Sequence, residues 1–202
     1  PANAPLAVVV GRLEPEKGHP TLIEAWPLVH HHFTSAHLLV VGEGSERDRL
    51  EGLAAAHLRA EICCASVHFL GRREDVPQIL AAADVVVMPS YREAQGLAIV
   101  EALAANRPVI ASNVGGIPEM IRSGENGMLV PSQDPSALAS AIALLFRDRA
   151  LATRLANAGH ALVHEKFCVD DMLRDIEAIY LLAVGGPVRD VPDRTGVSGG
   201  LK

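Results

Sequence analysis

The sequence is poor in aromatic residues. Trp, Tyr and Phe number 1, 2 and 4, or 3% of 202 residues. That leaves few platforms on which nucleobases could stack. Positive charge is not in excess either. Lys and Arg total 18 against 24 Asp and Glu, a formal net charge of −6. Both deficits argue against nucleic acid as the main partner. Cysteine is scarce: Cys63, Cys64 and Cys168 are an odd number with an adjacent pair. That pattern suits reduced thiols in the cytoplasm rather than a disulfide framework. No run of about 18 apolar residues occurs, so no helix is expected to span a membrane. Peripheral association is the membrane contact that this leaves open. The leading segment PANAPLAVVV has neither a charged n-region nor a cleavage pattern, and reads as the lead into a strand. Because the first residue is Pro1 rather than Met, something upstream is expected to be missing.

What the sequence does hold is small and branched apolar residues. Hydrophobic residues make up 49% and charged residues 21%, with a mean hydropathy of +0.21. This composition rules out wholesale disorder. A compact chain of this length buries roughly 70% of its unfolded surface, so it needs no disulfide or metal to fold. Short apolar runs alternate with helical patterns. Strands are predicted at Leu6–Val10, His37–Val41, Val67–Leu70, Asp84–Met88, Val109–Ala111 and Met128–Val130. Between them, Leu22, Trp26, Val29 and Phe33 mark a helical face that Pro27 is expected to kink or break. Leu50, Leu53 and His57 mark a second, with Ser45 as its candidate N-cap. Further helices are predicted at Asp75–Ala83, Leu97–Ala105 and Ile117–Ser123.

After the sixth strand the alternation stops. Asp134-Pro135 is an N-cap followed by a first-turn proline. Three helices follow, on faces marked by Leu138 and Ile142, by Leu151 and Leu155, and by Met172 and Ile176. The pattern predicts an α/β fold: a Rossmann-like, doubly wound parallel sheet of about six strands with C-terminal helices. Residues 1–184 are expected to form one domain. The Gly-, Pro- and charge-rich stretch 185–202 is expected to be a flexible tail.

In such sheets ligands bind beyond the carboxyl ends of the strands. The loop after the first strand carries Gly11, Arg12, Lys17 and Gly18. Arg12 can fork two phosphate oxygens and Lys17 adds a point charge. The loop reads either as a diphosphate clamp or as two solvated surface cations. After the second strand, Gly42-Glu43-Gly44 begins like a dinucleotide fingerprint, but Arg47 stands where the third glycine belongs. The loop after the fourth strand is denser in chemistry. Glu93 precedes Gln95-Gly96-Leu97 at a helix start, and Glu101 lies one turn inside the helix. Helix starts favour anions, and carboxylates accept hydrogen bonds from vicinal diols. A ligand with a diphosphate between two polyols, a nucleotide-sugar, would use all of these groups together. Gly115-Gly116 after the fifth strand reads as a second backbone nest on the same crevice, or as a plain turn. No metal site is expected. His30 to His32 do not share a helix face, and His160 with His164 lack a third ligand.

Five blocks stand in order here: Gly11-Arg12-Leu13 with Lys17-Gly18; Phe69-Leu70-Gly71; Ala83-Asp84-Val85 to Pro89-Ser90; Glu93-x7-Glu101; and Gly115-Gly116 with Glu119. Over about residues 6–182 the chain resembles the C-terminal, donor-binding half of a retaining glycosyltransferase of the GT-B fold, group 1 or GT4 type. The resemblance implies that Arg12 and Lys17 hold the donor diphosphate and neutralise the leaving group. It implies that Glu93 contacts donor-sugar hydroxyls and that Glu101 binds the ribose diol. The backbone of Gln95, Gly96 and Leu97 would cradle sugar and phosphate, with Gly11, Gly115 and Gly116 completing the donor site. No cofactor or metal is implied; the nucleoside-diphosphate sugar is the co-substrate. An N-terminal GT-B domain bearing the acceptor site is the implied partner. Two departures stand out. Gln95 replaces the family's usual Phe, and Asn106 occupies a position where glycine is usual.

Two other readings share these residues. A nucleotide-sugar-binding module would lack transfer of its own. A GT-B-like epimerase would place its acidic and histidine groups differently, and a phosphorylase would want a cofactor lysine and a longer chain.

Overall fold

The structure is a computed structural model and describes residues 4–58 and 66–184. Cys63, Cys64 and the stretch 185–202 lie outside the described residues. The chain divides into two units, residues 1–163 and 164–202. In the first, six parallel strands form one sheet: β1 (Leu6–Val10), β2 (His37–Val41), β3 (Val67–Gly71), β4 (Val85–Met88), β5 (Val109–Ser112) and β6 (Met128–Val130). Their spatial order is β3-β2-β1-β4-β5-β6, which makes the sheet the doubly wound parallel one expected from the alternation. Helices α1 (His19–His32), α2 (Arg47–Leu58), α3 (Val76–Ala82), α4 (Leu97–Ala104) and α5 (Ile117–Met120) connect them. Helices α6 (Pro135–Arg147), α7 (Arg149–Lys166) and α8 (Val169–Ala183) follow; α7 crosses the boundary between the units.

Strand side chains alternate between two cores. Val9, Val85, Val87 and Ile110 join α1 and α6 on one face. Val8, Val86, Met88 and Ala111 join Leu80 of α3 and Ile99 and Leu103 of α4 on the other. Burial on both faces explains why the strands read as unbroken apolar runs.

Three local expectations are corrected. Helix α1 runs through Pro27 rather than ending there. Leu22, Ile23, Ala25, Trp26 and Val29 are all buried around it, and that burial offsets the lost helical hydrogen bond. Ser45 does not cap α2. Its hydroxyl donates to Glu14 Oε2 at 2.7 Å and its N–H to Oε1 at 3.2 Å, which joins the β1 and β2 loops. Helix α5 stops at Met120, short of Ser123. Asp134 does cap α6, accepting from Ala137 N–H at 2.9 Å.

Backbone hydrogen bonds join each strand-end loop to the next. Leu13 N–H donates to Glu43 O at 2.9 Å, Tyr91 N–H to Glu16 O at 2.8 Å and Gly116 N–H to Glu93 O at 3.2 Å. Glycines permit this close approach. At Gly42 (φ +141°) a Cβ would lie 1.8 Å from Gly11 O, and at Gly115 (φ +54°) 1.8 Å from Glu93 O. The Gly42-x-Gly44 segment therefore packs the β2 loop onto the β1 loop, which accounts for its partial likeness to a dinucleotide fingerprint.

Helix α1 opens on a group the motifs did not single out. His19 is 2% exposed, and neither ring nitrogen has a hydrogen-bond partner among the described residues. Burial, with the nearby Lys17 charge adding to it, pushes its imidazole down to about 4.

Two outcomes follow from this packing. Gly115→Ala is expected to cost about 1–3 kcal/mol in denaturant unfolding, because both its φ and the Glu93 carbonyl oppose a side chain. For His19 the folded value lies below the unfolded one, so the stability of the neutral ring is complete above pH 6.5 and lost as pH falls toward 4. The loss is about 3 kcal/mol at full protonation. Unfolding midpoints measured from pH 7 to 4 should fall more steeply in the wild type than in His19→Leu.

Candidate functional site

The carboxyl ends of β1 and β4 are neighbours in the sheet and their loops diverge to different helices. A crevice opens at that point. From the β1 side come Arg12 and a 3-10 turn, Pro15–Lys17, that brings Lys17 inward. From the β4 side comes Glu93, three residues before Gly96, the N-cap of α4. Lys17 Nζ lies 2.6 Å from Glu93 Oε2. Their side chains are only 20% and 10% exposed, so the pair is largely shielded from solvent. Glu93 also accepts from Ser90 Oγ and from Gly96 N–H, both at 3.3 Å. It is thus fixed at both oxygens. The exposed Arg12 pairs with Glu16 at 3.0 Å.

Two adjoining cavities share Arg12, Lys17, Glu93 and Ala94 as a common wall. One, of about 310 Å³, continues along Gly11 and the α4 start through Gln95, Gly96 and Leu97. The other, of about 360 Å³, continues to Glu16, Tyr91, Arg92, Val114 and Gly115. Both volumes suit small-molecule ligands. Of the residues singled out in the sequence, Gly11, Arg12, Lys17, Glu93, Gln95, Gly96, Leu97 and Gly115 are brought together here. Gly116 and Glu101 line neither cavity. Gly116 spends its N–H on the Glu93 carbonyl and supports that loop from behind. Glu101 is exposed on α4, one turn beyond the 70% exposed Leu97.

Sequence reasoning passed over Glu16, Tyr91, Arg92 and Val114. Glu16 had a signal, since it stands four residues from Arg12 in a charged loop. Tyr91 had none. Its hydroxyl shares a 3.0 Å hydrogen bond with Thr21 Oγ1 of α1, a pairing across 70 residues.

The arrangement brings two cations and a fixed carboxylate together beside a helix N-terminus. It can neutralise a diphosphate and orient hydroxyls in one place. Among the described residues no cluster of three His, Cys, Asp or Glu side chains could hold a metal ion. No described helix is long and apolar enough to cross a membrane.

Known proteins resemble this chain in fold and in sequence. The family model for group 1 glycosyl transferases matches residues 4–148. A lipopolysaccharide core biosynthesis glycosyltransferase of Rhizobium meliloti is 38% identical over 160 residues, covering 79% of this chain and 45% of that protein. HepE of Anabaena, solved in complex with UDP and glucose, superposes with a TM-score of 0.80 at 30% identity, covering 88% of this chain and 48% of that one. The C-terminal domain of the group 1 protein LpcC from Francisella tularensis superposes with a TM-score of 0.75 at 28% identity, covering 82% of this chain and 87% of that one. The chain spans about half the length of the curated relatives it matches. By sequence and by fold, it belongs to the group 1 glycosyltransferases and corresponds to the C-terminal half of their GT-B fold.

Proposed function

We propose that the chain is the donor half of a retaining, metal-independent glycosyltransferase. It would bind a nucleoside-diphosphate sugar for transfer to an acceptor held by the other half of the protein. The observation that carries this reading is the convergence of Arg12, Lys17 and Glu93 at the β1–β4 crevice beside the start of α4. Arg12 and Lys17 take the donor diphosphate and stabilise the negative charge that grows on it as the glycosidic bond breaks. The helix start adds its dipole. Glu93 orients sugar hydroxyls around an anomeric carbon of oxocarbenium character. Gln95, Gly96 and Leu97 line the donor's path, Gly11 and Gly115 let the chain approach it, and Glu101 takes the ribose diol. In this reading no cofactor enters. A cytoplasmic setting accords with the free thiol of Cys168. HepE is described with UDP and glucose, which makes uridine nucleotides the first donors to try.

The ion pair adds a step. Lys17 is held by Glu93 before any ligand arrives. A diphosphate must draw Lys17 away, and Glu93 is then released toward the sugar. Diphosphate capture and sugar orientation are coupled through one exchange of partners.

A calorimetric and thermal-shift panel of UDP, GDP, ADP and UDP-glucose tests the reading. A response to a nucleotide supports it, and no response to any overturns it. Arg12→Ala and Lys17→Ala should each weaken nucleoside-diphosphate binding by about 1–3 kcal/mol. Glu101→Ala should weaken a ribonucleotide more than its deoxyribose analogue. Glu93→Gln frees Lys17, so UDP alone should bind about threefold tighter or better, while the gain for UDP-glucose is smaller because a sugar contact is lost. Equal gains for both ligands would remove Glu93 from the sugar site.

A further inference from the structure

The larger cavity holds more positive charge than its carboxylates neutralise. Arg12 is matched by Glu16 and Lys17 by Glu93. Arg92 lines the same cavity, and its guanidinium has no ion-pair or hydrogen-bond partner among the described residues. Its base is nevertheless fixed. The Arg92 N–H donates to Glu16 O at 3.2 Å, beside the Tyr91 N–H at 2.8 Å on the same oxygen. The neighbouring Tyr91 ring is tied to α1 through Thr21. An anchored backbone thus carries an exposed, unpaired arginine on the cavity wall. A guanidinium in that state suits a carboxylate or a phosphate. The cavity adjoins the donor cavity along Lys17, Glu93 and Ala94, so a group seated in it lies beside the place where the donor sugar is read.

We propose that this cavity is an anion subsite in which Arg92 receives a carboxylate or phosphate carried by a substrate at the reacting end of the donor. The proposal rests on the donor reading above and extends it to the charge of what reacts there. The anion has two sources, a uronic acid as the donor sugar or an acidic acceptor. In either case Arg92 selects for charge, while Arg12 and Lys17 remain engaged with the diphosphate.

Two binding experiments on the 202-residue chain separate the sources. The first compares UDP-glucuronate with UDP-glucose by calorimetry. The second saturates the chain with UDP and compares glycerol 3-phosphate with glycerol by saturation-transfer NMR. Each is run on the wild type and on Arg92→Gln, with unfolding midpoints showing that both are folded. A preference of about tenfold for the charged member is expected in one experiment, the scale of a charge-assisted hydrogen bond, and it should vanish in Arg92→Gln. UDP affinity should stay within about twofold in that variant, because Arg92 does not line the donor cavity. Preference in the first experiment puts the anion on the donor sugar, and in the second on the acceptor. UDP binding without charge preference in either overturns the subsite alone. A preference that survives Arg92→Gln also overturns it, since Arg12 or Lys17 would then be responsible. Absence of UDP binding overturns the donor reading and, with it, a subsite defined beside the donor.

Discussion

The cleft depends on a relay of three backbone hydrogen bonds. Glu43 O holds Leu13, Glu16 O holds Tyr91, and Glu93 O holds Gly116. Each crosses from one strand-end loop to the loop beside it, so four loops behave as one rim. Loops of this length would otherwise have the freedom of surface segments. Here their positions are set by the parallel sheet beneath, whose strand order decides which loops are neighbours. A functional group on such a rim can be placed with the precision of a strand although it sits on a turn.

The rim explains which small residues the sequence needs. Gly42 and Gly115 each meet a carbonyl oxygen of the adjacent loop where any side chain would stand. These glycines let the loops that carry Arg12 and Glu93 pack against their neighbours, and Gly115 also lines the larger cavity. Glu93 is constrained at every oxygen, with its carboxylate held by Lys17, Ser90 and Gly96 and its carbonyl by Gly116.

Much of this was legible in the sequence, for physical reasons. Apolar runs of strand length separated by helical faces fixed the six strands, and the parallel arrangement then named the loops to inspect. Arg12, Lys17, Glu93 and Gln95 through Leu97 were found because they follow β1 and β4. What stayed hidden depends on contacts between distant residues. Ser45 precedes a helix as an N-cap should, yet Glu14, 31 residues away, takes its hydroxyl. Pro27 carries a local penalty that burial of Trp26 and Val29 overrides. Glu101 fits the family spacing but stands away from both cavities. Arg92 carried no local signal of its own, because its place on the wall of a cavity is set only by folding. Asn106, in place of a glycine, adopts φ +55° and so keeps the turn the glycine would make.

The pairing of Arg12 with Glu16 and of Lys17 with Glu93 also bears on how a ligand arrives. Isolated cations at a cleft mouth project a field that draws anions in from beyond contact range. Here each is cancelled within 3.0 Å, and the chain as a whole carries −6. An anionic ligand such as the proposed donor therefore gains little long-range attraction from these two cations and meets their charge only as it displaces Glu16 and Glu93. Discrimination then shifts from the rate of encounter to the time a ligand remains bound. Ionic strength should accordingly act on departure more than on arrival.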